Sequence, residues 1–217
     1  MISLDILLSI VIPSHNKTEL LLAAVASILN EGAFDGRCEL CISDNSLTEK
    51  TSVELEEKYS RDSRVVYRRS LDAPSLDENV SKAVEMARGQ YVWIFGDDDL
   101  IVPRALQSIL ELLSGGKYGL LVINSQSFVG SEIIEQRRQF FSKDREYDQS
   151  QNEEFLVDMG GYLTYVCATI IKKNLWVNNF DPTFIGTVMA HLATMLNAKK
   201  ESVAYFFSEP AIKMRMH

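Results

Sequence analysis

Three consecutive acids, Asp97-Asp98-Asp99, follow the apolar stretch Tyr91-Val92-Trp93-Ile94-Phe95 with a single glycine, Gly96, between them. Aspartates repel one another and suit neither strand nor helix interiors, so three of them at the mouth of a buried strand require a compensating cation. Carboxylate oxygens suit the hard ions Mg²⁺ and Mn²⁺, which keep waters and share their remaining positions with a substrate's phosphates. The acids have a second reading, a solvated turn capping a helix that starts near Pro103.

The elements that must position these acids alternate strand and helix patterns over 1–124 with short connections, the signature of an α/β fold around a mainly parallel sheet. Strands are expected over 8–12, 39–43, 64–68, 91–95 and 119–124. Helices are expected over 18–30, 49–59, 76–87 and 103–113, with Thr18 capping the first and Gly89 stopping the third. In the first helix Leu22, Val25, Ala26 and Leu29 form an apolar stripe. Residues 137–154 are polar and without period and read as a long loop. A Gly160-Gly161 turn, a strand over 168–172, a helix over 186–197, a strand over 202–207 and an extended piece over 212–216 follow. The chain stops at His217 directly after a strand-like segment, which suggests a C-terminal truncation.

In an open parallel sheet, ligands bind at the carboxyl ends of the strands, so the loops there are read together. They carry Pro13-Ser14-His15-Asn16, Ser43-Asp44-Asn45-Ser46 and Asp97-Asp98-Asp99. No GxGxxG and no Walker phosphate loop follows the first strand, which excludes the usual dinucleotide and P-loop sites. Asp44-Asn45-Ser46 also reads as an Asx turn opening the next helix.

In order and spacing, residues 8–16, 42–46, 79–89 and 91–100 resemble the family 2 glycosyltransferases of GT-A fold. Gly96 to Leu100 with the later Glu209-Pro210 resemble a bacterial subgroup of O-antigen sugar transferases, abequosyltransferase-like. The resemblance implies a GT-A domain with a mainly parallel, helix-flanked sheet and a smaller mixed C-terminal part. Residues 1–124 would form its nucleotide-sugar-binding half and 125–217 its acceptor-side half. It implies inverting transfer of a sugar from a nucleoside-diphosphate sugar to a glycan acceptor, lipid-linked, in surface polysaccharide synthesis.

Laid onto matching positions, the resemblance sets Pro13, Ser14, His15, Asn16 and Asn79 beside the nucleotide-sugar, and Asp44 as acceptor of a base N–H. Asp99 becomes the main Mg²⁺ or Mn²⁺ ligand, Asp97 a second, and Asp97 or Asp98 faces the ribose or a metal-bound water. His217 would be a late histidine ligand. The family supplies its catalytic base as an acid near the start of a late helix, but residues 186–192 contain none. His191 is therefore the candidate base, with Asp181 and Asp158 as substitutes. The alternatives are a nucleotide-sugar-binding module without catalysis, or a sugar-phosphate nucleotidyltransferase. The latter expects a glycine-rich, arginine-bearing loop where Pro13-Ser14-His15-Asn16 stands.

Composition bounds these readings. Of the 217 residues 46% are hydrophobic and 24% charged, the profile of a globular chain, and no apolar run reaches the roughly 18 residues of a membrane span. A net charge of −8 excludes a nucleic-acid surface, so an anionic substrate needs a cation beside it. Residues 1–8 lack a secretory signal's basic flank, which places the chain in the cytoplasm. A lipid-linked acceptor would bring it to the inner membrane face, where Arg137, Arg138, Lys172 and Lys173 offer a weak basic patch. Cys38 and Cys41 form a lone CxxC across opposite faces of a strand, and Cys167 is a core residue.

Overall fold

The computed structural model describes residues 6–216. Its strands are β1 (Leu8–Ser14), β2 (Cys38–Asp44), β3 (Val65–Arg69), β4 (Tyr91–Ile94), β5 (Leu100–Ile101), β6 (Leu120–Val129), β7 (Glu132–Glu135), β8 (Arg145–Tyr147), β9 (Thr169–Lys172) and β10 (Ala204–Arg215). Its helices are α1 (Thr18–Leu29), α2 (Lys50–Tyr59), α3 (Leu76–Met86), α4 (Ala105–Ser114), α5 (Asn152–Met159), α6 (Lys173–Asn179) and α7 (Ala190–Lys200).

Every residue of β1, β2 and β4 is buried, as expected of strands covered on both faces, and the polar Ser9 and Glu39 inside them are paired, the Ser9 hydroxyl donating to Glu39 Oε1 at 2.6 Å. The side-chain period of two then divides the core. Ile10, Ile12, Leu40, Trp93 and Phe95 pack toward α1 and α4, while Val11, Cys41, Val92 and Ile94 pack with α3, α5 and α7. Cys38 and Cys41 fall in these two separate clusters, and burial pushes both thiols up to about 12, so they are structural residues.

The sheet order is β3-β2-β1-β4-β9-β6-β10-β5, with β7 on β6 and β8 on β10. β1, β2, β3 and β4 pair in parallel, whereas β9 runs antiparallel to both β4 and β6. From β1 the chain builds outward to β2 and β3, then crosses back to lay β4 on the other side of β1. The loops after β1 and β4 therefore part at a topological switch point, where an open α/β sheet has its crevice.

Several expected elements take a different form. Thr18 does not cap α1: Lys17 is the N-cap residue, and the Thr18 hydroxyl is buried against that of Thr51 at 2.8 Å. The buried face of α1 is Leu21, Ala24, Val25 and Ile28, so the apolar stripe lies one residue earlier than Leu22, Ala26 and Leu29 imply. α3 stops at Met86, and Gly89 serves close packing instead: a Cβ there would lie 2.7 Å from the Ser9 backbone nitrogen. The acids do not cap α4, because β5 and Arg104 intervene.

The polar stretch 137–154 is not one long loop; it holds β8 and the start of α5. The strand expected over 119–124 continues to Val129 and turns back as β7. The pieces over 202–207 and 212–216 are one strand, β10, joined across a register shift between Phe207 and Ile212. α7 begins at Ala190, because residues before it form a turn with Gly186 at φ +89° and Val188 at φ +66°. Among the described residues no helix is long and apolar enough to cross a membrane.

Candidate active site

The carboxyl ends of β1, β2 and β4 meet in one hydrogen-bonded rim. Register fixes the first two: Ser14 lies opposite Asp44, and Asn45 N–H donates to the Ser14 carbonyl at 3.1 Å. Asn79 of α3 straps the same ends from behind, donating to the Ser14 carbonyl at 3.1 Å and to Asn45 Oδ1 at 3.3 Å, and accepting from the Ser43 hydroxyl at 2.7 Å. Its side chain is thus spent on holding the rim. Asn16 is a second bolt: at φ +55°, a conformation asparagine tolerates, it donates its N–H to Ser46 Oγ at 2.7 Å and accepts from Leu47 N–H at 3.0 Å.

His15 projects from this rim. Its Nδ1 lies 2.9 Å from Asn45 Oδ1 and 3.1 Å from the Asn45 carbonyl, and its Nε2 faces the Asn16 amide at 2.9 Å. These partners assign the proton to Nδ1 and leave Nε2 the acceptor. Asp44 is wholly buried, with Oδ1 accepting Ser46 N–H and Oδ2 accepting the Tyr67 hydroxyl, each at 2.9 Å. The Asx turn therefore forms, and Asp44 has no exposed surface in this state.

The acids are arranged individually. Asp97 Oδ2 accepts the Ser14 hydroxyl at 3.1 Å and the His15 N–H at 3.3 Å, while Oδ1 faces the Lys17 ammonium at 3.1 Å. Asp98 Oδ2 pairs with the same ammonium at 2.8 Å. Asp99 turns back beneath Gly96 and accepts the Arg215 N–H at 3.0 Å. A Cβ on Gly96 would lie 2.4 Å from Asp99 Oδ2, so glycine is needed for the Asp99 carboxylate to lie here. The Arg215 guanidinium donates to the Asp98 carbonyl at 3.1 Å and stacks over Phe128. Burial raises Asp97 against the opposing pull of Lys17, and burial pushes Asp99 up to about 6, with the Arg215 N–H only partly offsetting it.

Two cavities flank the acids. One of about 310 Å³ is walled by Gly96, Asp97, Asp98 and Asp99, the stretch from Thr164 to Cys167, and the last residues of β10. The other, of about 300 Å³, is walled by Ser14, His15, Lys17, Asn45, Pro74 and Asn79. Pro13, Leu76 and Asp97 line both, so Asp97 stands at their junction. A groove of about 520 Å³ between α5 and α7 contains none of these residues.

The structure thus gathers Pro13, Ser14, His15, Asn79, Asp97, Asp98 and Asp99 along one crevice, with Asn16 and Asp44 bracing it. His191 is not among its lining residues. It is buried on α7 with Nε2 3.3 Å from the Thr164 carbonyl, directly behind the cavity wall, and burial lowers its pKa. Asp158 is paired with Arg145 and Tyr147, and Asp181 accepts from Thr183, so both carboxylates have partners away from the acids. His217 lies outside the described residues. Arg137, Arg138, Lys172 and Lys173 do not form one free patch: each hydrogen-bonds to its own carbonyl, hydroxyl or acid.

Among the described residues no three His, Cys, Asp or Glu side chains assemble a self-sufficient metal cage. The donor set nevertheless fits Mg²⁺ or Mn²⁺. Such an ion commonly takes one or two carboxylates and completes its shell from water and phosphate, and among the described residues the buried Asp99 carboxylate has no ion-pair partner. Sequence reasoning missed Lys17 and Arg215. They lie 80 and 116 residues from acids they contact, and only the fold brings them together.

The family model of Glycosyl transferase family 2 matches residues 9–172. The chain belongs to this family. It is 27% identical over 223 residues to abequosyltransferase RfbV of Salmonella typhimurium, covering 96% of this chain and 66% of that protein. It is 26% identical over 188 residues to the GalNAc(5)-diNAcBac-PP-undecaprenol beta-1,3-glucosyltransferase of Campylobacter jejuni, covering 82% of this chain and 56% of that enzyme. The crystal structure of S. aureus TarS 1-349 in complex with UDP superposes with a TM-score of 0.73 at 16% identity, covering 97% of this chain and 60% of that one. The fold is therefore the α/β GT-A architecture of these transferases. The chain spans between about half and two thirds of the length of these relatives.

Proposed function

We propose that this protein transfers a sugar, with inversion, from a nucleoside-diphosphate sugar to a glycan acceptor, lipid-linked, in surface polysaccharide synthesis at the cytoplasmic side of the inner membrane. The observation that carries this reading is Asp97, set at the β1/β4 switch point and shared by two contiguous cavities with Asp98 and Asp99 beside it. The cavity lined by Ser14, His15 and Asn45 suits the nucleoside, and the one walled by the acids suits the diphosphate and sugar. The name of the Campylobacter jejuni relative, which carries an undecaprenol-linked glycan, supports the acceptor class.

Asp99, with Asp97, would hold Mg²⁺ or Mn²⁺, which when bound neutralises charge on a leaving diphosphate as a Lewis acid. This chain's own residues orient that centre. Ser14 and His15 fix Asp97 from the β1 loop, and Arg215 fixes Asp99 and the Asp98 backbone from β10. A base must reach the acceptor hydroxyl within hydrogen-bond distance. His191 holds the Thr164–Cys167 wall rather than reaching into the cavity, and we assign it the positioning of that wall.

A thermal-shift panel of nucleoside diphosphates with and without Mn²⁺ tests the reading. A ligand at 100 times its Kd adds about 2.7 kcal/mol. Stabilisation by one base, lost in Asp99→Asn, supports the donor site; stabilisation by none overturns it.

A further inference from the structure

Lys17 follows the β1 loop at the N-cap of α1, and its ammonium bridges Asp97 Oδ1 at 3.1 Å and Asp98 Oδ2 at 2.8 Å. Burial opposes the charge on Lys17, but the hydrogen bond to Asp98 and the field of Asp97 outweigh it and raise its pKa above the ordinary lysine value. The Lys17 side chain keeps 40% of its surface exposed, whereas those of Asp97 and Asp98 keep 11% and 16%. The carboxylates are thus set in the wall and the ammonium covers them from the solvent side.

A hard divalent ion reaching this wall seeks the same oxygens. Lys17 and Arg215 differ in how readily they can move. Arg215 is fixed by its stacking on Phe128 and by a bond from its guanidinium to the Asp98 backbone carbonyl. Lys17 is a compact charge with three rotatable donors on a flexible stem, and it also lines the neighbouring cavity.

We propose that Lys17 is an exchangeable counter-ion. It holds Asp97 and Asp98 in the unliganded protein, competes with a divalent cation for their oxygens, and passes to the diphosphate of the donor when that cation binds. The inference rests on reading Asp97 to Asp99 as the donor-diphosphate site. It adds that metal and diphosphate are coupled through one lysine: each releases it from, or receives it in place of, the other's contacts.

The test is Mn²⁺ alone, titrated into the whole chain without nucleotide, with free Mn²⁺ read by electron paramagnetic resonance. Lys17→Met should bind Mn²⁺ about tenfold more tightly than the wild type, within the usual range of a coupling free energy. Lys17→Arg should stay within about twofold, because it keeps the charge over the acids. Lys50→Met removes an ammonium paired with Glu19 instead and should also stay within about twofold, separating contact from overall charge.

Saturating inorganic pyrophosphate should narrow the gap between Lys17→Met and the wild type by giving the ammonium another acceptor. Circular dichroism confirms that each variant is folded. An unchanged or weaker Mn²⁺ affinity in Lys17→Met, absence of binding in both proteins, or a gap that pyrophosphate leaves intact overturns the proposal. If nucleoside diphosphates still stabilise the wild type, only the counter-ion role falls; if none does, the donor-site reading falls as well.

Discussion

Asp77 carries more of the fold than its position in the first turn of α3 suggests. It is buried, and its carboxylate accepts three backbone N–H groups where the chain enters α7: Gly186 and Val188 of the preceding turn on Oδ2, each at 2.8 Å, and Ala190 of α7 on Oδ1 at 3.2 Å. Val188 is β-branched and sits at φ +66°, a conformation such residues adopt only when their surroundings force it. Asp77→Ala removes all three hydrogen bonds. Hydrogen bonds to a charged group are worth roughly 1.5–3 kcal/mol each, but water can replace those to Gly186 and Val188, which are only partly buried. The net loss should be about 3 kcal/mol, or a fall in Tm of about 6–12 °C for a chain of this size. Ser75→Ala is the internal comparison, because it deletes the capping box of the same helix and should cost only about 1 kcal/mol. Adding Val188→Gly to Asp77→Ala should recover part of the loss, since glycine adopts positive φ freely. Differential scanning calorimetry decides: a Tm for Asp77→Ala no lower than that of Ser75→Ala would refute the clamp.

Gly96→Ala should abolish Mn²⁺ binding and donor cleavage with a much smaller effect on Tm, because the added Cβ drives into Asp99 Oδ2 while the strands beneath stay packed. Isothermal titration beside thermal melting checks this; normal Mn²⁺ affinity would show that the turn of Asp99 is dispensable. His191 predicts a pH dependence. Burial depresses its pKa in the folded state, so the unfolded chain takes up the proton first and stability is lost as pH falls below about 6.5. The drop in Tm between pH 7.5 and 5 should be smaller in His191→Gln than in the wild type, and an equal drop would exclude this residue as its source.

How much of this could be read from the chain follows from how local each cause is. Tyr91 to Phe95 declares itself as a strand because both faces are covered and the run is apolar throughout, and Leu8 to Ile12 because Ser9 is the one polar residue in it. The acids declare themselves because no interior could hold three adjacent charges. The pattern of α1 marks its extent but not its buried face, since Leu21, Leu22, Ile28 and Leu29 fit either stripe and only docking against the sheet chooses. β7, β8, α5 and α6 are short; β7 depends on its hairpin partner β6, while β8 leans on β10 and α5 and α6 on α7, all distant in sequence. The same limit governs the site. Asn16 and Asn79, expected beside the nucleotide, are spent on joining strand ends, while Lys17, Arg215 and Asp77, which carry no motif, supply the charges and clamps. Residue type near a strand end thus locates the crevice, but a residue's role there depends on which lone pairs and protons the fold has already engaged, and those partners come from across the chain.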